Sequence, residues 1–280
     1  MRLISLTLAR NSAWCIEGTL RHALRYCDEA VVLCHACTDG TQDILRGIDR
    51  VQIIETDEAD TWSEMEHRQR TLDEGRKLGG THFLILDDDE IVADPAVKLM
   101  RPIAGTLKPG DIAMMPMVCC WRDLDHYRSD DPRTNPFARL CKSTVFADSP
   151  SLCWHAKDGY QFHHTEPYNS RQLLYAPGDL RWMHLQHASW PRLVTKQIHY
   201  MCREMVLYGG VKANYLRSMS EEGLTLTPVP DTWWPKERAL IDLEAVPWQA
   251  ADLKRMVDKH GIRFFRDEGI PVEQALQFWK

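Results

Sequence analysis

Short apolar runs alternate with amphipathic stretches through the first hundred residues, and this alternation restricts the fold more than any other feature of the chain. LISLTL, at Leu3 to Leu8, has the length of a strand. Ser12 stands where a helix N-cap is expected, followed by Ile16, Leu20, Leu24 and Cys27 recurring on one side. AVVL, at Ala30 to Leu33, is too short for an ordinary helix and fits a buried strand. Thr38-Asp39-Gly40-Thr41 has turn chemistry, a short helical pattern follows, and VQII at Val51 to Ile54 supplies another strand. Thr61 and Glu64 have capping-box spacing, which predicts a helix from Trp62 to Lys77 ending near Gly79 and Gly80. FLIL, Phe83 to Leu86, is the next strand, and Asp94-Pro95 reads as the N-cap and first residue of a further helix. Such strand–helix repeats close by right-handed crossovers onto a mostly parallel sheet.

Beyond Asp111 the order is less regular. IAMMPMVCCW and ARLCKSTVF read as strands, and RDLDHYRSDDPRTNPF between them as a polar loop or flap. Residues 160–179 are loop-like. Ser189 and Pro191 lead into a helix carrying Lys196, Tyr200 and Glu204, and the tail predicts helices over 250–260 and 271–279. The 280 residues suit one α/β domain with an appendage. The division expected is a main domain over 1–223, with a first half to about 110 and a second half to 223. A helical extension packed on it then covers 224–280.

Several classes are disfavoured. No GxGxxG follows the first strand and no GxxxxGK[ST] occurs, which argues against a dinucleotide-dependent dehydrogenase and a P-loop hydrolase. A net charge of -6 does not suggest a broad nucleic-acid surface. MRLISLTLAR is interrupted by Arg10 and Asn11 and reads as a strand rather than a signal peptide. No run approaches the roughly 18 apolar residues of a membrane-spanning helix, so no membrane span and a cytoplasmic location are expected. The nine cysteines include Cys34-His35-Ala36-Cys37 and the pair Cys119 and Cys120. A structural zinc site needs a second spaced ligand pair that the sequence does not show, so reduced, mostly buried thiols are expected.

The chemistry points to the run after FLIL, Asp87-Asp88-Asp89-Glu90. On an extended segment Asp87 and Asp89 project to the same side, and a turn also lets both converge on a hard cation. Mg²⁺ or Mn²⁺ held there can bind a diphosphate and stabilise its departure. Asp88 is left to hold a sugar hydroxyl or a backbone amide. The bland alternative is a solvated acidic turn.

LTLARN at Leu6 to Asn11, CDEAVVL before the TDGT turn, and LILDDDE at Leu84 to Glu90 occur in an order and spacing that resembles a family 2 glycosyltransferase with a GT-A fold. The resemblance covers about the first ninety residues. It implies an α/β, GT-A-like nucleotide-diphospho-sugar transferase fold with a mostly parallel central sheet. It further implies a nucleotide-sugar donor, an inverting displacement, nucleotide contacts from the first β–α loop at Asn11, and Asp87 with Asp89 as the metal pair. Cys34 to Cys37 depart from the family, where many members carry an acidic pair. The base contact then falls to His35 or Cys34, or to Asp39 and backbone groups, although Thr38 and Asp39 also fit a plain tight turn. Arg70 is the better positional match to the family's phosphate-facing cation and Arg68 the neighbouring alternative; either also fits a solvated helix face. His184 and His187, in HLQH, are the nearest counterparts of a C-terminal histidine that approaches the metal or diphosphate.

An inverting transfer also needs a carboxylate to take the acceptor's proton. Asp179 and Glu166 are the first choices, with Asp130 and Asp131 behind them, and His163 and His164 form an acceptor-side pair. Lys196 reads as a phosphate or acceptor contact, or as a charge on a helix face. Trp182, Trp190, Trp233 and Trp234 offer flat faces for sugar rings or, equally, core packing. The expected activity is metal-dependent inverting transfer of a sugar to an acceptor hydroxyl, on a glycan or small molecule in preference to a modified DNA base. The alternatives are a metal-dependent sugar-phosphate nucleotidyltransferase and a noncatalytic nucleotide-sugar or carbohydrate-binding protein.

Overall fold

The computed structural model describes residues 1–57, 63–130, 142–154, 166–175, 178 and 180–279. Strand and helix alternate as expected through β1 (Leu3–Ala9), α1 (Ile16–Ala23), β2 (Glu29–His35), α2 (Thr41–Arg46), β3 (Val51–Thr56), α3 (Glu64–Lys77) and β4 (His82–Ile85). They are followed by β5 (Glu90–Val92), α4 (Val97–Thr106), β6 (Asp111–Met115), β7 (Met117–Cys119), β8 (His126–Arg128), β9 (Lys142–Ala147), β10 (Arg171–Leu174) and β11 (Trp182–His184). The remaining elements are α5 (Trp190–Tyr208), β12 (Leu226–Pro228), α6 (Trp248–His260), α7 (Ile262–Arg266) and α8 (Val272–Leu276).

Seven strands form the main sheet in the order β10-β6-β9-β4-β1-β2-β3. β3, β2, β1 and β4 are mutually parallel, β9 runs antiparallel between β4 and β6, and β10 is parallel to β6. This is the expected α/β, GT-A-like arrangement with a mostly parallel sheet. Strand β1 has β2 on one side and β4 on the other, so the chain reverses its direction of growth across β1. β1 and β2 are buried almost throughout, as strands covered on both faces must be. Ile4, Leu6 and Val31 pack with Met65 and Leu72 of α3, and with Phe83, Ile112 and Phe146.

Local departures from expectation have identifiable causes. Pro116 lacks an N–H and divides the predicted strand IAMMPMVCCW into β6 and β7; its carbonyl accepts from the Trp182 N–H at 2.9 Å. Ser12 does not cap α1, which starts at Ile16 behind Cys15 without a side-chain cap. Asp94 opens a single 3₁₀ turn ahead of α4, and its carboxylate pairs with Arg25 instead of capping. Thr61 of the anticipated capping box lies outside the described residues, while Glu64 is turned to Arg68.

Two compact units are interleaved along the chain. One comprises 1–118, 131–184 and 229–242 and contains the main sheet; the other comprises 119–130, 185–228 and 243–280. In the second, Val194, Ile198, Met201 and Cys202 of α5 pack with Leu253, Phe265, Val272 and Ala275. The helical unit therefore takes in 119–130, 185–228 and 243–280, instead of starting at 224, and 229–242 belongs to the sheet unit. All eight described cysteines are free thiols; Cys141 lies outside the described residues. Among the described residues no helix is long and apolar enough to cross a membrane.

Candidate active site

The carboxyl ends of β1, β2 and β4 lie side by side at the point where the strand order reverses. In open α/β sheets this crevice is where ligands bind, because the helices leave it in opposite directions. The acidic run follows β4 at that edge. It forms a turn, with the Glu90 N–H donating to the Asp87 carbonyl at 3.2 Å and the Asp87 N–H donating to Glu90 Oε2 at 2.9 Å. Glu90 therefore shapes the run, and its side chain is buried.

The turn sends the three aspartates to different partners. Arg68 of α3 donates from Nη2 to Asp87 Oδ1 at 3.0 Å and from Nε to Glu64 Oε1 at 3.0 Å. Lys142 Nζ lies 3.5 Å from Asp87 Oδ2 and also pairs with Glu90. The register explains this contact. Leu84 faces Val145 across the antiparallel β4–β9 pair, so three further steps bring Lys142, at the start of β9, opposite Asp87. Burial raises the Asp87 pKa, but the Lys142 and Arg68 charges more than offset this and hold the carboxyl well below the usual carboxylate range. The charge on Asp89 acts in the opposite sense, which marks the two carboxylates as electrostatic neighbours. The Asp87 side chain remains 32% exposed.

Asp89 is buried, with Oδ1 3.2 Å from His184 Nε2. Strand pairing places that histidine, since β11 runs antiparallel to β5 with His184 opposite Glu90. Asp88 turns toward β1: its carboxylate accepts from Ser12 Oγ, and its carbonyl accepts from Thr19 Oγ1 at 2.8 Å. The hydroxyl expected to cap α1 thus fastens the β1 loop to the acidic turn.

The loop after β1 is tied to the turn after β2. Asn11, at a φ of 52°, accepts from the Thr38 N–H at 2.6 Å. Asp39 accepts from the Ala13 N–H at 3.0 Å and from Thr41 Oγ1 at 2.5 Å. Asp39 accordingly serves both the loop and the helix start. His35 is fully buried, its ring 4.9 Å from that of His67 and its Nδ1 3.5 Å from Arg10 Nη1. It therefore supports the loop from beneath, through Arg10.

Of the two arginines on α3, Arg68 is the one at the acidic turn. Arg70, two residues on and half-buried, faces another direction, as helical spacing requires. Glu166 accepts from Ser143 Oγ at 3.4 Å and from Gln172 Nε2 at 3.4 Å. Ser143 adjoins Lys142 on β9, where neighbouring side chains point to opposite faces, so Glu166 lies on the face away from the Lys142–Asp87 contact. Asp179, Asp131, His163 and His164 lie outside the described residues. His187, Lys196 and Asp130 belong to the other unit. There the His187 ring meets Trp121 edge-on at 5.8 Å, Lys196 Nζ is 3.5 Å from Gln186 Oε1, and Asp130 pairs with Arg128. Trp182 and Trp233 are buried as packing residues. Sequence reasoning missed Lys142 and Ser12; the lysine as the single charged residue of the KSTVFA strand was the one available signal.

Two carboxylates and an imidazole are oxygen and nitrogen donors suited to Mg²⁺ or Mn²⁺. Among the described residues no group of three or more His, Cys, Asp or Glu side chains is gathered as a complete metal site.

No family model matches this chain, and no curated protein matches it. Among solved structures, S. aureus TarS aligns over 78% of this chain and 41% of its own, at 12% identity and a TM-score of 0.45. S. aureus TarS 1–349 in complex with UDP aligns over 42% of this chain and 36% of its own, at 16% identity and a TM-score of 0.36. A 4-diphosphocytidyl-2C-methyl-D-erythritol synthase aligns over 52% and 75%, at 14% identity and a TM-score of 0.36. The matches thus span about two fifths of either TarS chain, and no chemistry is inferred from likenesses this distant.

Proposed function

We propose that this protein is a metal-dependent inverting glycosyltransferase that moves a sugar from a nucleoside-diphosphate sugar to an acceptor hydroxyl. One observation carries the reading. Asp87 and Asp89, with Arg68, Lys142 and His184 fixed around them, stand at the carboxyl end of β4 beside the point of strand reversal.

In this reading the nucleotide lies along residues 10–12 and 36–39, with the diphosphate reaching the acidic turn. Asp87 and Asp89 would hold a Mn²⁺ or Mg²⁺ with His184 beside them; the ion, when bound, would neutralise charge on the departing nucleoside diphosphate. Arg68 and Lys142 keep Asp87 ionised and fix its direction, so that ligand binding needs no reorientation of that carboxylate. Asn11 and Asp39 hold the loop that faces the nucleotide, and Ser12 sets Asp88 against it. Asp179, just ahead of the strand that delivers His184, is assigned as the acceptor of the hydroxyl proton. The acceptor class is a glycan or a hydroxylated small molecule.

The test is a screen of nucleotide sugars with Mn²⁺ or Mg²⁺ and pooled hydroxyl acceptors, read by nucleoside diphosphate release and by intact mass of the products. Release of UDP, GDP or a related diphosphate together with a glycosylated product supports the reading. Pyrophosphate formed from an NTP and a sugar phosphate overturns it in favour of nucleotidyl transfer, and binding without turnover leaves a carbohydrate-binding protein.

A further inference from the structure

A cavity of about 670 Å³ opens at the other edge of the main sheet. Arg50, just ahead of β3, and Leu24 and Arg25, just after α1, line one side of it. It therefore lies at the amino ends of the parallel strands, whereas the acidic turn follows the carboxyl end of β4. The other side is the segment 234–237, where a 3₁₀ turn at Asp231–Trp233 gives way to a second at Lys236–Leu240. Gly18 of α1 lets this segment close in, since a Cβ there would stand 2.9 Å from the Glu237 carbonyl. None of the lining residues belongs to the acidic turn or to the loops beside it.

Two buried polar atoms at this cavity make no hydrogen bond among the described residues, Glu237 Oε2 and Trp234 Nε1. The Glu237 side chain is only 6% exposed. His22 Nδ1 lies 4.0 Å from its Oε2, but that histidine donates from Nε2 to the Val92 carbonyl at 2.8 Å. Its Nδ1 accepts from Arg25 Nη1 at 3.3 Å, so the imidazole has no proton to offer Glu237. An acceptor and a donor left unmade in the interior are costly. A ligand bearing hydroxyl groups answers both, because a hydroxyl donates and accepts.

The mouth of the cavity is cationic. Arg50, at a φ of 65°, donates to the Leu24 carbonyl at 2.9 Å and to the Cys27 carbonyl at 3.2 Å. These neutral acceptors fix the guanidinium without cancelling its charge. Lys236 is exposed and pairs with no carboxylate among the described residues, whereas Arg25 is already paired with Asp94. Asp49 stands at the same mouth without an ion pair to either cation, as a further acceptor for hydroxyl groups. Two cations outside carboxylate pairs suit a phosphate.

We propose that this cavity is a second ligand site that takes a phosphorylated monosaccharide. The phosphate lies on Arg50 and Lys236, and the sugar hydroxyls meet Glu237 and the Trp234 indole N–H. The volume is within the roughly 300–1,000 Å³ of small-molecule pockets. Binding here is independent of the reaction assigned to the acidic turn.

The test is calorimetric titration of the full chain with glucose 1-phosphate and glucose 6-phosphate, and with glucose and inorganic phosphate in separate arms. At least one sugar phosphate should bind about tenfold or more tightly than glucose or phosphate alone. Lys236→Ala, at an exposed side chain, should weaken that binding by about tenfold at unchanged melting temperature. Glu237→Gln and Trp234→Phe, which keep the side-chain shape or a ring, should each weaken it by a similar factor of about ten. Asp87→Asn/Asp89→Asn should leave the affinity unchanged, so that this site and the acidic turn are read separately. No binding of either sugar phosphate at about 10 mM overturns the proposal. So does inorganic phosphate binding as tightly as the sugar phosphates, an affinity indifferent to all three cavity substitutions, or binding lost with the two aspartates.

Discussion

Asp89 and Lys142 are both buried at the acidic turn, but their loss should be felt in different measurements. Asp89→Asn keeps the shape and removes a charged oxygen that faces His184. In the proposed reaction, transfer should fall by roughly 10²–10³-fold at nearly unchanged stability, checked by initial rates beside thermal melting. Lys142→Met instead strands Glu90, whose side chain is 2% exposed, and removes one of the two cations on Asp87. A buried carboxylate left unpaired should cost about 3–5 kcal/mol in urea unfolding, and adding Glu90→Gln should recover part of it. Two histidines away from the acidic turn set a pH response. Burial lowers His22 to about 4, outweighing the hydrogen bond it makes to the Val92 carbonyl at 2.8 Å. Burial likewise lowers His67 to about 4, aided by the neighbouring His35 and Arg70 charges. The folded values lie below the unfolded value near 6.5, so the unfolded chain takes up protons first. Their contribution is complete above pH 6.5 and is lost as pH falls toward 4, by up to about 1.4 kcal/mol per pH unit for each histidine. Urea titrations across pH 4 to 7 should show this slope, and His22→Gln should flatten it.

Helix α3 depends on one small residue for its seat on the sheet. A Cβ on Gly75 would stand 2.6 Å from Phe83 Cε1, and that ring is itself buried. Gly75→Ala should therefore lose about 1–3 kcal/mol through overpacking, more than any gain from helix propensity; urea midpoints at constant m-value would measure it. The same scale shows what the sequence could disclose. Strands β1 to β4 and the helices between them were legible because buried parallel strands are short continuous apolar runs, and covering helices carry a 3.6-residue period. Ser12 and Asp94 look like caps by residue type, yet each is claimed by a distant partner, Asp88 and Arg25, that local pattern does not contain. Asp87 and Asp89 stood out as acids after an apolar strand. Arg70 was the better match by position, and it is the fold that brings Arg68 of the same helix to Asp87. Lys142 was illegible because its position depends on the antiparallel register of β9, fifty-five residues from Asp87. Glu166 attracted notice through its neighbours in sequence, whereas strand alternation at Ser143 turns it to the other face.

At the scale of the molecule, the sheet unit carries the acidic turn, and α5 with α6, α7 and α8 forms a core of its own. If the strand-end crevice binds nucleotide, occupancy must stabilise the chain by mass action. UDP with Mn²⁺ at about a hundred times its dissociation constant should add about 2.7 kcal/mol and raise the melting temperature by roughly 5 °C or more, read by scanning fluorimetry. Asp87→Asn/Asp89→Asn should abolish the Mn²⁺-dependent part of that rise. The most direct measurement is nucleoside diphosphate release from a panel of nucleotide sugars, run with Mn²⁺, with chelator, and with the doubly substituted chain. The account predicts acceptor-dependent release that requires the ion and falls by about 100-fold or more when both aspartates are replaced. Undiminished transfer by the Asp87→Asn/Asp89→Asn chain, or by the unaltered chain in chelator, would contradict it.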